Sequence, residues 1–248
     1  MSEHREMKPR LLLVEDDAIS CSFMVAALEA LPAEVETAAS MAMALALESA
    51  HELWLLDANL PDGSGLELLA TLRARGHDTP ALAHTADDSP ALREQLLVAG
   101  FAGVLVKPLT AAQLQQAVRR QLGLGTVPAM RVEEAGHTFP SLPLWDRAAA
   151  LAALNGKHEH VVTLRTLFLD ELGRQHGEIV SALQAGRHAA ASRTLHQLKA
   201  SSGFVGALRL NAAARALENL LDDAATLETF SACVAQTRSA EAEPEDPQ

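Results

Sequence analysis

The chain has 248 residues, 48% of them hydrophobic and only 3% aromatic, with no tyrosine, which excludes wholesale disorder and asks for cores built from Leu, Val and Ala. Its net charge of −12 argues against a nucleic-acid surface, which needs a clustered basic face, and no apolar run reaches the length of a membrane helix. Cys21 and Cys233 stand far apart in no metal-binding pattern, as in a reducing cytosol, and the polar stretch Met1–Lys8 is no signal peptide, so a cytoplasmic chain without membrane insertion is expected.

Leu11–Val14 is an uninterrupted apolar run, suited to a strand buried on both faces, and it ends at Glu15-Asp16-Asp17. Helical spacing follows from Ile19 to Leu31, where Pro32 stops it. Glu34–Thr37 is a weaker strand, and the Ala- and Leu-rich stretch Met41–Ala50 a helix. Leu53–Leu56 is the next buried run and delivers Asp57 into the turn residues Ala58-Asn59-Leu60-Pro61-Asp62-Gly63. Gly63-Ser64-Gly65 reads as a loop, Ser64 as the N-cap of a helix over 66–75, and Gly76 as its stop. Pro80–His84 is strand-like and ends at Thr85; Ser89 and Pro90 open a helix to Ala99; Val104–Val106 is a fifth strand, ending at Lys107-Pro108. Thr110 caps a helix to about Leu122.

Five strand–helix units in succession are the pattern of a doubly wound parallel sheet. Parallel strands bring their C-terminal ends to one edge, where ligands bind in such sheets. Glu15 and Asp16, Asp57, Thr85 and Lys107 therefore converge. Asp57 alone could simply start a turn, but four unrelated turn residues have no reason to gather.

Residues 123–141 hold scattered Gly and Pro without periodicity and read as a linker. Helical periods alone follow: a short helix over 144–154, then a long one with the stripe Val161, Leu164, Phe168, Leu172, Ile179 and Leu183, broken by Gly186. A third has Ala191, Leu195, Leu198 and Ser202 inward and ends in a turn at Gly203 and Gly206. A fourth carries Leu210, Ala213, Leu217, Leu220 and Leu221, and a short fifth Leu227, Phe230 and Val234. This predicts a helical bundle, with a frayed acidic tail from Ser239.

Carboxylates crowded into one crevice repel unless a cation joins them. Hard oxygen donors with open positions suit Mg²⁺. With a lysine and a hydroxyl opposite, Asp57 is placed as a nucleophile toward phosphorus, giving an aspartyl phosphate. The motifs Leu13-Val14-Glu15-Asp16-Asp17, Asp57 through Gly65, Thr85-Ala86 and Lys107-Pro108 resemble the receiver domain of two-component response regulators, over residues 8–122. That resemblance implies a flavodoxin-like five-stranded sheet of order 2-1-3-4-5, with Asp57 as phosphoacceptor and Thr85 as the switch hydroxyl. It implies Mg²⁺ held by Glu15, Asp16, Asp57 and the backbone carbonyl of Asn59; which two of Glu15, Asp16 and Asp17 form the acidic pair depends on alignment, and the family pattern favours the first two. One departure is Val104, where the family usually has an aromatic residue coupling phosphorylation to the outer face.

In Leu195-His196-Gln197-Leu198-Lys199-Ala200-Ser201-Ser202-Gly203, Leu195 and Leu198 face inward, leaving His196, Lys199 and Ala200 at i, i+3 and i+4 on the other face. This stretch, with Gly206-Ala207 and the helix containing Glu218, resembles the histidine-phosphotransfer (HPt) domain over 142–238, with Ala200 where Gly is usual. The resemblance implies a four-helix bundle with His196 exposed as a second phosphoacceptor, Lys199 steadying the phosphoryl group, and no ATP site. The resulting expectation is a phosphorelay protein, not an enzyme with its own kinase domain, working between a sensor histidine kinase and a downstream response regulator receiver. The alternative is a non-catalytic regulatory module or phosphate sink, in which the receiver controls what the helical domain binds. A phosphatase with an aspartyl intermediate ranks last, because Asn59 stands where that chemistry needs a second acid.

Overall fold

Two blocks of sequence with different periodicity fold as two compact units, dividing near residue 130. The computed structural model describes residues 8–107, 109–125, 142–154 and 156–240. Pro108, most of the expected linker and the tail beyond residue 240 lie outside these.

In the first unit the apolar runs become parallel strands: β1 Arg10–Val14, β2 Glu34–Ala38, β3 Leu53–Asp57, β4 Ala81–Thr85 and β5 Gly103–Val106. Their order is β2-β1-β3-β4-β5, the flavodoxin-like order that the sequence predicts. Helices α1 Ala18–Leu28, α2 Met41–Ala46, α3 Gly65–Ala74, α4 Pro90–Val98 and α5 Ala111–Leu122 connect and flank the strands. Alternate strand residues point to opposite faces. Leu12, Val14, Trp54, Leu56, Ala81 and Ala83 form one core with Leu68, Leu69 and Leu72 of α3, Leu96 of α4, and Phe101. Leu11, Leu13, Leu53 and Leu55 take the opposite phase and are fully buried, on the side where α1 and α5 pack together.

The expected caps form. Ser64 accepts from the Glu67 N–H in a capping box, Ser89 precedes a proline in the first turn, and Thr110 makes a second capping box with Gln113. Gly76, Gly100 and Gly123 take positive φ beyond the helices they close.

Two local expectations are corrected. The helix expected to run through Ala50 stops at Ala46, with Leu47 extended. Tertiary structure overrides propensity there: His51 is buried against Glu36, its Nε2 2.8 Å from Oε2, and the chain must be back at the sheet by Leu53. The loop after Asp57 also contains a small antiparallel ladder, Asn59–Leu60 against Gly63–Ser64.

The second unit is helical. α6 Arg147–Ala153 precedes α7 His158–Gln184, α8 His188–Phe204, α9 Leu208–Asn219 and α10 Ala224–Ser239. α7 packs on α8, α8 on α9, α9 on α10 and α10 back on α7, closing a four-helix ring, with α6 against α7 and α8. Phe168, Phe204 and Phe230 are fully buried in it; truncating one such phenylalanine to alanine costs about 3–5 kcal/mol. Here too the sequence reading needs three corrections. α9 stops at Asn219, so Leu220 and Leu221 fall outside it, and Leu220 is exposed. α8 continues through Gly203, and the chain reverses at Gly206, which has φ 77°. The expected short last helix has 16 residues, and its Thr229, Thr237 and Ser239 hydroxyls donate to carbonyls one turn back.

Candidate functional site

The strand pleat assembles the first site. Leu13 is paired with Leu55, and Asp57 with His84, while His84 is paired with Leu105. Two residues beyond Leu13 and Leu105 come Glu15 and Lys107. Glu15, Asp57, His84 and Lys107 thus share one phase of the pleat at the C-terminal edge. Backbone hydrogen bonds fix the strand ends: Glu15 N–H to the Ala38 carbonyl at 3.0 Å, Ala58 N–H to His84 at 2.9 Å, and Lys107 N–H to Thr85 at 2.7 Å.

Lys107 Nζ donates to Glu15 Oε2 at 2.5 Å and to Asp57 Oδ2 at 2.7 Å. The other Asp57 oxygen, Oδ1, accepts the Asn59 N–H at 2.8 Å. The Asp57 side chain keeps 9% of its exposure. Burial pushes the Asp57 carboxyl up, but Lys107, His84 and the Asn59 N–H outweigh it and hold the group well below the usual carboxylate range. Glu15 goes the other way: burial, with the Asp57 charge, outweighs Lys107 and pushes it up to about 8. Burial disfavours the Lys107 ammonium, yet the two carboxylates raise it above its ordinary value. Asp57 is therefore an anion tied to a fixed cation.

Of the three consecutive acids, Asp17 is committed elsewhere. It caps α1, its Oδ1 accepting from Ser20 N–H at 2.7 Å. Asp16 is half-buried, and its carboxyl is raised by burial first and by the Asp57 charge next. Thr85 is buried, and its Oγ1 accepts from the Asp87 N–H at 3.0 Å, which leaves the hydroxyl proton free to donate. Val104 is half-buried against the α3 and α4 core. Gly65 packs directly against Asp57, where a Cβ would stand 2.4 Å from the Asp57 carbonyl oxygen.

The residue not anticipated is His84. It is fully buried, with Nδ1 3.4 Å from Glu15 Oε2 and 3.5 Å from Asp57 Oδ2, and burial followed by Lys107 lowers its pKa. The signal was present: His84 lies two residues beyond Leu82, which pairs with Leu55, just as Asp57 lies two beyond Leu55.

In the second unit, α8 carries His196 and Lys199. Leu195 and Leu198 are buried as expected, but so is Ala200, and His196 is half-buried, its side chain keeping 23% exposure. Beside it stands Glu218 of α9, which the sequence names only as part of its helix and to which it gives no role. It hydrogen-bonds Lys199 Nζ and lies 3.8 Å from His196 Nδ1. Burial raises the Glu218 carboxyl, but the bonds from His196 and Lys199 prevail and lower it. Asn211 Nδ2 donates to the Lys199 carbonyl and, at 3.0 Å, to Ser202 Oγ, pinning α9 to α8 beside the histidine. Glu218 sits one turn beyond buried Ala214 and next to buried Leu217, a rim position legible from the α9 stripe.

Residues 11–119 match the response regulator receiver domain, and residues 163–242 match the Hpt domain. The chain joins a receiver domain to an Hpt domain. Neither matched model is an ATP-binding kinase domain. The chain is similar to the sensor histidine kinase AruS of Pseudomonas aeruginosa, 34% identical over 84% of this chain and 20% of that protein. It is also similar to the sensor histidine kinase GacS of Pseudomonas protegens, 25% identical over 86% of this chain and 24% of that protein. The receiver alone is similar to the transcriptional regulatory protein PrrA of Mycobacterium tuberculosis, 34% identical over 46% of this chain and 50% of that protein. This chain thus spans a fifth to a half of the length of these relatives. Among solved structures, the CheY-like receiver domain protein from Methanospirillum hungatei is 28% identical, covers 48% of this chain and 100% of its own, and has a TM-score of 0.43. Among the described residues, no helix is long and apolar enough to cross a membrane.

Proposed function

We propose that the chain is a phosphorelay intermediate with two phosphoacceptors, Asp57 and His196. The observation that carries this is the Lys107 bridge between Asp57 and Glu15, in a chain that also holds an Hpt domain. In the first transfer an Asp57 carboxylate oxygen attacks the phosphorus of a sensor kinase's phosphohistidine. The P–N bond breaks, an acyl P–O bond forms, and the donor imidazole takes a proton as it leaves. Lys107 is positioned to neutralise the transferred oxygens, the Thr85 hydroxyl to donate to one of them, and the Asn59 N–H to orient the nucleophile.

The residues fit a divalent cation: Glu15, Asp16 and Asp57 bring three carboxyl groups to one edge, and Lys107 is their only nearby cation among the named site residues. Glu15, Asp16, Asp57 and the Asn59 carbonyl would hold Mg²⁺. Bound there, it would supply charge neutralisation to the transferring phosphoryl oxygens.

His196 then takes the phosphoryl group from an aspartyl phosphate, this chain's or a partner receiver's, or returns it. Lys199 stands one turn away to neutralise the phosphoryl oxygens once its bond to Glu218 exchanges. We take the functional units as 8–122 and 142–238, joined by 123–141, and place the chain in the cytoplasm with a sensor kinase donor and a downstream receiver. Similarity to two sensor histidine kinases supports the kinase partner. In the second reading, a regulatory module or sink, receiver switching would have to proceed through Val104, whose side chain lacks the aromatic ring that would rotate inward, and this weighs against it.

The test is incubation of the full chain with a labelled phosphohistidine donor, alongside Asp57→Ala and His196→Gln. Acid-stable label lost in Asp57→Ala and base-stable label lost in His196→Gln are expected. Label on neither residue of the wild-type chain overturns the proposal, and full signalling by His196→Gln favours the regulatory reading.

A further inference from the structure

An imidazole that makes no hydrogen bond of ordinary geometry, sealed into an acidic crevice, is the least economical feature of the receiver. His84 has no exposed surface, and neither ring nitrogen makes a hydrogen bond of ordinary geometry. Burying a polar group without a partner is costly, and such groups call for an explanation such as an absent ion. Its Nδ1 points at the carboxylate oxygens of Glu15 and Asp57. One ligand atom from each of Glu15, Asp57 and His84 falls within 4.8 Å of the others, and this is the one such group of three among the described residues.

We propose that Glu15, Asp57 and His84 form a binding site for a borderline divalent transition ion, Zn²⁺ being the representative, which competes with Lys107 and masks Asp57. Two donors each about 2.0–2.1 Å from a tetrahedral ion lie roughly 3.3–3.4 Å apart. Nδ1 stands 3.4 Å from Glu15 Oε2 and 3.5 Å from Asp57 Oδ2, so two edges of the tetrahedron are already set. A nitrogen donor also decides the type of ion. Mg²⁺ takes oxygen ligands in near-octahedral geometry, whereas imidazole favours Zn²⁺, Co²⁺, Ni²⁺ and Cu²⁺. Two carboxylates and one imidazole leave a fourth position for water.

The competition follows from shared atoms. Lys107 Nζ donates to the same Glu15 Oε2 and Asp57 Oδ2 that face His84. An ion seated on these oxygens takes both acceptors from the ammonium, one cation replacing another. This set differs from the oxygen-only Mg²⁺ set, which uses Asp16 and the Asn59 carbonyl and omits His84. Glu15 and Asp57 belong to both, so the two ions exclude each other. Binding of the transition ion does not rest on the phosphorelay reading; only the consequence, an Asp57 withdrawn from phosphoryl acceptance, does.

The test uses the full metal-free chain and no phosphoryl donor, so its failure leaves the phosphorelay reading standing. Zn²⁺ affinity is measured by competition with a chromophoric chelator, and Co²⁺ serves as the spectroscopic substitute. The expected result is one ion per chain, with the intense visible bands of tetrahedral Co²⁺ displaced by Zn²⁺. His84→Leu should weaken Zn²⁺ binding by more than about tenfold, because even loss of an outer-shell partner of a metal ligand costs about 10–100-fold. It should abolish the tetrahedral bands. His84→Gln, which keeps polarity and volume, serves if circular dichroism shows the leucine variant misfolded. Unchanged Zn²⁺ affinity in a folded His84 variant overturns the proposal. So does an octahedral Co²⁺ spectrum, or no stoichiometric ion, in the wild-type chain, and these wild-type measurements decide the matter if neither variant folds.

Discussion

Gly65 offers the sharpest test of how Asp57 is held. It opens α3, and its N–H donates to the Ala58 carbonyl at 3.2 Å, so the helix start is tied to the turn that presents Asp57. An alanine methyl there would stand 2.4 Å from the Asp57 carbonyl oxygen and 3.1 Å from the carbonyl carbon, where ordinary contact begins at 3.4 Å. The obstructing atoms are backbone and cannot swing aside. Gly65→Ala therefore forces α3 and the Asp57 turn apart by about 1 Å, since overpacked sites relieve strain by backbone shifts at a cost of about 1–3 kcal/mol. A displacement of about that size costs about 10²-fold in rate where reacting groups must be aligned. The assay is the rate of Asp57 phosphorylation by a small acyl-phosphate donor, which removes kinase docking from the comparison, together with urea unfolding. Gly177→Ala in α7 is the control. Beyond its own helix backbone, no atom lies within 4 Å of its added methyl, so it should raise stability by about 0.4–1 kcal/mol and leave Asp57 untouched. Wild-type rate and stability in Gly65→Ala would refute the reasoning.

Three further outcomes are expected. Ser64→Ala removes the oxygen that caps the Glu67 N–H and should lower receiver stability by about 1 kcal/mol in urea unfolding. Gly206→Ala brings a methyl within 2.2 Å of the Asp146 carbonyl oxygen at a φ of +77°; a loss of at least about 1–3 kcal/mol in the helical unit should appear as faster amide exchange in α6, α8 and α9. For Glu218→Gln the sign follows from a folded carboxyl lowered, against burial, by His196 and Lys199. The Glu218 contribution is then complete above the unfolded glutamate value of about 4.3 and is lost as pH falls through the lower folded value. The stability gap between wild type and Glu218→Gln should narrow below about pH 4, and a gap constant with pH would contradict the assigned pairing.

Much of the receiver was legible because its signals are local. Four apolar residues before an acid mark a buried strand end, and Ser64, Ser89 and Thr110 each announce a helix. What escaped depends on partners distant in sequence. Leu47 has a helix former's propensity, yet it is extended because His51 must reach Glu36 on β2. Gly203 carries the residue type of a turn, but the reversal falls at Gly206, whose carbonyl accepts the Asp146 N–H at 2.7 Å. His84 passed for one more residue of an apolar strand, because its significance needs the register between β3 and β4. Glu218 was visible as part of α9, but only the packing of α9 on α8 puts its carboxylate on Lys199 and beside His196.

The Lys107 bridge also has a consequence for biosynthesis. Its two acceptors lie 92 and 50 residues earlier in the chain, and β5, which delivers the lysine, is the last strand of the sheet. During synthesis the carboxylates emerge first and stay without their ammonium until the final strand docks, since contacts at such separation must bear the loop-closure entropy before they contribute. A nascent or clipped receiver lacking β5 holds Asp57 and Glu15 without the Lys107 ammonium that bridges them. Completion of the sheet and assembly of the Asp57 site thus arrive together; under the proposed phosphorelay function, an unfinished chain would draw no signal from its partners.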